Sequence, residues 1–113
     1  MIYDTANELA RQISESEEYK TYCAAKEKAL QNETTKNLVK EYRKLQYKAQ
    51  AAMVAGETDN ASMERLQKLG ELLQMDKDAS AYLIAEYQLN RTLGDIYKIL
   101  ADAIEVDLSM LEE

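Results

Sequence analysis

Three observations predict an all-α protein. No proline occurs in the 113 residues, and the three glycines stand singly at positions 56, 70 and 94. Alanine, leucine, lysine, glutamate and glutamine dominate, residues that lose little freedom on entering a helix. Apolar positions recur at three and four through most of the chain, the period of an amphipathic helix rather than of a strand. The length predicts a single domain over residues 1–113.

The elements follow in order. Ile2, Ala6, Leu9, Ala10 and Ile13 make a first helical stripe, with Asp4 as its candidate N-cap. Ser14 followed by Glu17 is a capping-box pattern, so a second helix bearing Tyr19, Tyr22, Cys23, Lys26 and Leu30 should follow with almost no loop. Asn32 suits both the close of that helix and the N-cap of the next. Leu38, Tyr42, Leu45, Ala49 and Ala52 predict a third helix over about Thr34 to Ala55, and Gly56 to Asn60 reads as a loop. Met63, Leu66, Leu69 and Leu73 carry a fourth helix, and Asp76 or Asp78 caps the last. Residues 108–113 read as a frayed end.

The last helix, predicted over Asp78 to Asp107, is the longest. Tyr82, Leu89, Leu93, Ile96, Leu100 and Ala103 lie on one seam, spaced alternately by four and three from Leu89 onward. At 1.5 Å per residue it spans roughly 45 Å, more than a compact domain of this size offers as cover. It therefore needs a partner along its length, and Tyr82, Leu89, Leu93, Ile96 and Leu100 are the candidate core and association residues. Glu86 and Asn90 adjoin the seam four residues apart, a polar pair able to fix register. Gly70 and Gly94 interrupt helical patterns, and Gly94, next to Leu93, is the better candidate for a close helix approach.

Charge is uneven. Formal charge is −7, yet Lys20 to Lys48 carries eight bases against three acids, and Asp76 onward carries nine acids against three bases. On the third helix Lys36, Lys40, Arg43, Lys44 and Tyr47 share a face opposite Leu38 and Leu45. That face is either solvated, pairing with the acidic last helix of the same or a neighbouring subunit, or a partner-binding surface. The acidic balance argues against autonomous nucleic-acid binding, which depends on phosphate neutralisation. Tyrosine replaces Phe and Trp entirely. Tyr19, Tyr22, Tyr42, Tyr82, Tyr87 and Tyr97 should bury their rings beside the stripes and leave hydroxyls at the edge.

Histidine is absent, and no phosphate-binding loop, G-x-S-x-G or H-E-x-x-H pattern occurs, so no enzyme is expected. No cofactor is expected either. Cys23 is the sole cysteine and reads as a small core residue. No apolar run reaches the ~18 residues of a membrane span, and the expected location is the cytoplasm. A metal- or small-molecule-binding bundle using Glu86, Asn90 and Asp95 stands as an alternative reading.

Tyr82-Leu83, Ala85-Glu86, Leu89-Asn90, Leu93 and Asp95-Ile96, preceded by Ala6, Leu9-Ala10, Ile13, Ser16, Glu18-Tyr19, Tyr42 and Leu45-Gln46, give the chain its family likeness. In this order and spacing they resemble the YlbF/YmcA family of small helical bacterial regulators, from about Ile2 to Ile104. The resemblance implies an up-and-down bundle of long helices that dimerises through the C-terminal one, and a non-enzymatic adaptor role. It further implies control of competence, sporulation and biofilm formation through an mRNA-processing complex associated with RNase Y, with family paralogues as further partners. A structural interaction module without an RNA link is the alternative. Two departures stand out: Asp76-Lys77 replaces the Asn-Pro common before the Tyr-Leu pair, and Cys23 alone cannot supply the cysteines of the family's iron–sulfur sites.

Overall fold

The computed structural model describes residues 1–104, and all of its regular elements are helices. They are α1 (Ile2–Ser14), α2 (Glu17–Gln31), α3 (Glu33–Val54), α4 (Asn60–Met75) and α5 (Lys77–Ile104). The predicted frayed end at 108–113 lies outside the described residues.

Local chemistry sets the boundaries. Ser16, in an extended conformation, accepts the Tyr19 amide and starts α2, so the cap is Ser16 rather than Ser14, which ends α1. Asn32 closes α2 and opens α3 at once, its Oδ1 accepting the Thr34 and Thr35 amides at 2.9 and 3.2 Å. Gly56 takes φ +75°, the left-handed conformation that ends a helix at little cost to glycine. Asp59 caps α4 through the Ser62 amide, which holds its carboxyl below the usual value. Asp76, not Asp78, caps α5, accepting the amides of Asp78 and Ala79 at 3.1 Å each. At α1 the N-cap is Met1, and Asp4 lies inside the helix.

Helices α2 to α5 run alternately up and down. Arg65 pairs with Glu41 and Lys48 with Asp59, which fixes α3 and α4 as antiparallel. Lys28 meets Asp78, and Glu18 accepts a hydrogen bond from Thr92, which fixes α2 and α5 likewise. Beyond α2, α1 follows the distal part of α5, with Leu9 and Ile13 bordering a recess shared with Leu89 and Ile96. No residue of α1 is fully buried.

The core gathers where four helices meet: Ala29 of α2, Val39 of α3, Leu73 of α4, and Ala79 and Tyr82 of α5. Tyr22, Leu30, Leu38 and Tyr42 pack around it. From this junction two arms extend, α3 with α4 and α5 with α2 and α1. The radius of gyration is 17.4 Å, against about 13 Å for a compact chain of this length. The accessible surface is 9074 Å², against about 6,300 Å² for a compact monomer of this mass.

Several expectations from sequence are corrected here. Cys23 is exposed, because α2 turns Tyr22, Ala25 and Ala29 inward at spacings of three and four and Cys23 lies off that line. Tyr82 is buried and Tyr22 and Tyr42 are half-buried, but Tyr87 and Tyr97 are largely exposed. Gly94 approaches nothing. An added Cβ at Gly70 would lie 3.6 Å from the Tyr42 ring, an ordinary contact, so neither glycine marks a close helix approach within the chain.

Candidate functional site

The seam of α5 divides in two. Tyr82 and Leu89 are buried within the chain, and Ile96 is half-buried, whereas Leu93 is 41% exposed and Leu100 54% exposed. Tyr97 and Ile104 extend the open stretch. The cause is the arm geometry: α2 lies along α5 from Asp78 to about Thr92, the start of α3 covers only its N-terminal part, and beyond Thr92 it is α1 that borders α5. A groove of about 730 Å³ remains between α1 and α5, lined by Ile2, Ala6, Leu9 and Leu100 among others.

Where the seam passes from covered to open lies a polar cluster. Arg43 of α3 donates to Glu86 at 2.5 and 3.1 Å and to the Tyr82 hydroxyl at 3.1 Å, with its guanidinium 5.5 Å from the Tyr82 ring centroid. Hydrogen bonding to Glu86 raises the Arg43 pKa, and burial, the largest influence, raises that of Tyr82. The Tyr82 ring continues into Tyr22 at 5.9 Å, and Tyr22 into Tyr19 at 6.3 Å. This row of rings ties α2 to α5, and Arg43 adds α3 through its contact with Tyr82. Glu86 is thus bound to α3, while Asn90 is exposed and is not brought to it.

The candidate basic face is split by the same contact. Arg43 turns toward α5 and is occupied, so it does not belong to a free cationic surface. Lys40, Lys44 and Tyr47 remain exposed, and Lys36 is half-buried. A one-helix count of bases cannot reveal this, because the acid that takes Arg43 lies 43 residues away.

The alternative bundle site does not assemble. Asp95 lies nine residues after Glu86, half a turn away around the helix, so the two carboxylates point to opposite sides. Among the described residues no group of three or more His, Cys, Asp or Glu is placed to hold a metal ion. No described helix is long and apolar enough to cross a membrane.

The most constrained polar contact elsewhere is at the junction. Buried Thr35 donates to Asp76 at 2.5 Å, and this bond, ahead of the capping amides, holds the Asp76 carboxyl below the usual range. It fixes the start of α5 against the start of α3. The sequence marks Asp76 as a cap and gives no sign of Thr35.

Known proteins bear directly on this arrangement. A UPF0342 protein of Symbiobacterium thermophilum is 38% identical over 95% of this chain and 96% of its own length. A UPF0342 protein of Halothermothrix orenii is 34% identical over 99% of this chain and 96% of its own. Among solved structures, a protein of unknown function (DUF964) from Bacillus stearothermophilus superposes with a TM-score of 0.80 at 21% identity, covering 92% of each chain. Bacillus subtilis RicA, solved in complex with RicF, superposes at 0.63 and 15% identity over 92% of this chain and 93% of RicA. At these identities the structures establish the fold alone. The sequence profile described as control of competence regulator ComK, YlbF/YmcA, matches residues 2–105, and the chain belongs to the YlbF/YmcA family.

Proposed function

We propose that this protein is a non-enzymatic, cytoplasmic adaptor whose working surface is the open half of the α5 seam. The carrying observation is that Leu93, Tyr97, Leu100 and Ile104 continue a helical stripe into solvent instead of being covered within the chain. RicA, a fold relative, is solved as a complex with another protein, which favours pairing over catalysis as the use of this surface.

The finer reading is that the chain forms a homodimer, or pairs with a family paralogue, and joins the RNase Y-associated mRNA-processing complex. In that assembly the exposed Lys40, Lys44 and Tyr47, with Lys36 beside them, meet an acidic protein or ribonucleoprotein surface. The overall charge of −7 favours recruitment through protein over direct capture of RNA.

The test is binding of the purified full chain to purified RNase Y and to a YlbF/YmcA paralogue from the same organism, with mass determined by light scattering. Wild type should form a complex, and Leu100→Asp should lose it while keeping its helical content, because an unpaired charge would enter the apolar contact. Lys40→Glu with Lys44→Glu should lose RNase Y and keep self-pairing. Self-pairing without RNase Y binding would favour a structural interaction module. A monomer binding neither protein would remove the adaptor reading.

A further inference from the structure

Polar side chains tie every helix but the first to another helix. Lys28 pairs with Asp78 and Thr92 bonds Glu18, which holds α2 along α5; Arg65 with Glu41 and Lys48 with Asp59 hold α4 along α3, and Arg43 with Glu86 joins α3 to α5. Among the described residues α1 has no such tie. Its polar side chains bond only within residues 1–15: Met1 with Asp4, Arg11 with Glu8 and Glu15, Gln12 with Glu8, and Ser14 with the Arg11 carbonyl. What holds α1 is apolar contact, and that contact is incomplete. Leu9 and Ile13 are half-buried and Ile2 is 83% exposed, while a recess of about 360 Å³ and the groove of about 730 Å³ lie between α1 and α5.

The surface that α1 covers is the seam itself. Leu89, Leu93, Ile96 and Leu100 follow at spacings of four, three and four, and a partner helix that engages such a seam inserts against all of them. Leu9 and Ile13 share the recess with Leu89 and Ile96, and Ala6 and Leu9 share the groove with Leu100. α1 repeats the same spacing in Ile2, Ala6, Leu9 and Ile13. Its 13 residues rise about 20 Å, against about 18 Å for α5 from Thr92 to Ile104. It therefore stands where a partner helix would stand. We infer that α1 is a detachable strap: docked on distal α5 it withholds Leu89 and Ile96 from the seam, and an amphipathic partner helix with the same four-three-four apolar spacing displaces it. Leu93, Tyr97 and Ile104, exposed beside the docked strap, offer that helix its first contact. This rests on the adaptor reading and adds to it how the surface is controlled.

The fold confines the movement to α1. Glu15 and Ser16 alone separate the two helices, and Ser16, extended at φ −70° and ψ 152°, caps α2 by accepting the Tyr19 amide, so α2 keeps its start when α1 leaves. Two residues further on, Glu18 pins α2 to Thr92 of α5. The strap has some helical support of its own, because Glu8, Arg11 and Glu15 pair at spacings of three and four. Thirteen residues are too few for a stable isolated helix, so a released α1 frays unless it finds another apolar face.

The experiment compares the full wild-type chain with the double variant Leu9→Ser, Ile13→Ser by amide hydrogen exchange, by fluorescence of the apolar dye anilinonaphthalene sulfonate, and by binding to the purified paralogue that tests the adaptor reading. In the wild type the α1 amides should exchange together, at least roughly tenfold faster than those of α2 and α4, because α1 opens without global unfolding. The double variant should raise α1 exchange and dye fluorescence, leave exchange in α2 to α5 unchanged, and bind the paralogue at least about threefold more tightly, because its competent state is already populated. Leu9→Ala alone carries the same comparison should the double variant disturb α2 to α5. Wild-type α1 amides exchanging as slowly as those of α2 and α4 would overturn the strap, since α1 would then leave only on global unfolding. Weaker binding by the variant, with α2 to α5 intact, would make α1 part of the docking surface, overturning the strap and leaving the adaptor reading. Fast α1 exchange and a raised dye signal, with no binding by wild type or variant, would remove the adaptor reading and keep the strap.

Discussion

The N-terminal and C-terminal halves of α5 carry one heptad pattern but are covered to different extents. Tyr82, Ala85 and Leu89 are buried against neighbouring helices of the same chain, whereas Leu93, Leu100 and Ile104 continue the pattern into solvent, beside a half-buried Ile96 and a buried Ala101. What separates the halves is where the other helices run: the core lies at the junction, and α3 leaves α5 beyond Arg43. A continuous apolar seam on a single helix thus serves folding at one end and remains free for association at the other. The contrast gives each half its own mutational signature.

The largest effect belongs to the junction. Leu73 is 1% exposed and among the few large side chains wholly enclosed, so Leu73→Ala should cost about 2–5 kcal/mol and lower the melting temperature by 10 °C or more. Leu100→Ala, on the open half, should cost the fold of one chain no more than about 0.5 kcal/mol and yet weaken self-association. Thermal melts at low concentration, paired with light scattering, separate the two. Equal losses of melting temperature in both would erase the distinction between the halves.

The start of the covered half depends on Asp76. Asp76→Ala removes a cap and strands the buried Thr35 hydroxyl, with an expected loss of about 1–2 kcal/mol. The Asp76 carboxyl is held below its ordinary value of 3.8, so its contribution is fully present above the unfolded pKa and is lost as pH falls through the folded one. Stability should therefore decline from about pH 4 downward, more steeply in wild type than in Asp76→Asn, which retains the capping oxygen without the charge. Parallel acid titrations of the two proteins would contradict this assignment.

How much of this was legible in the sequence depends on distance along the chain. Asn32 and Gly56 were readable because capping and left-handed turns are local chemistry, decided within four residues. The seam of α5 was readable because periodicity is a property of one helix. Arg43 was not, since its partner lies on another helix, and a row of bases reads as one face whether or not an acid takes one of them. Cys23 failed for a related reason: cysteine's preference for burial is an average, and the line of Tyr22, Ala25 and Ala29 decides which side of α2 is inward. Which half of the seam is covered likewise depends on where α3 goes.

A smaller effect tests the boundary between the halves. Arg43 and Glu86 are 35% and 24% exposed, so solvent screening limits their coupling, and a double-mutant cycle with Arg43→Met and Glu86→Gln should return about 1 kcal/mol. Self-association through the adjoining stretch of α5 would remove water from this pair. The coupling should then rise with protein concentration across the range of self-association. A coupling independent of concentration would keep the pair as an internal brace and place the interface elsewhere on α5.

The smallest effect is a gain. Gly94 lies in the open half, in a helical conformation, and a Cβ there meets nothing within 4 Å, so Gly94→Ala should stabilise the chain by roughly 0.5–1 kcal/mol through helix propensity alone. Gly70→Ala brings the same propensity gain together with a Cβ 3.6 Å from the Tyr42 ring, an ordinary contact, so it should also be tolerated. The two differ in association. Gly94 follows Leu93 by one residue and lies about 100° around the helix from it, at the margin of the open stripe. Should a neighbouring helix approach closely on that side, Gly94→Ala would stabilise the isolated chain and weaken the dimer, while Gly70→Ala would leave dimerisation unchanged. Melting and self-association measured on both variants would distinguish a glycine kept for close approach between copies from one that only lowers helix stability.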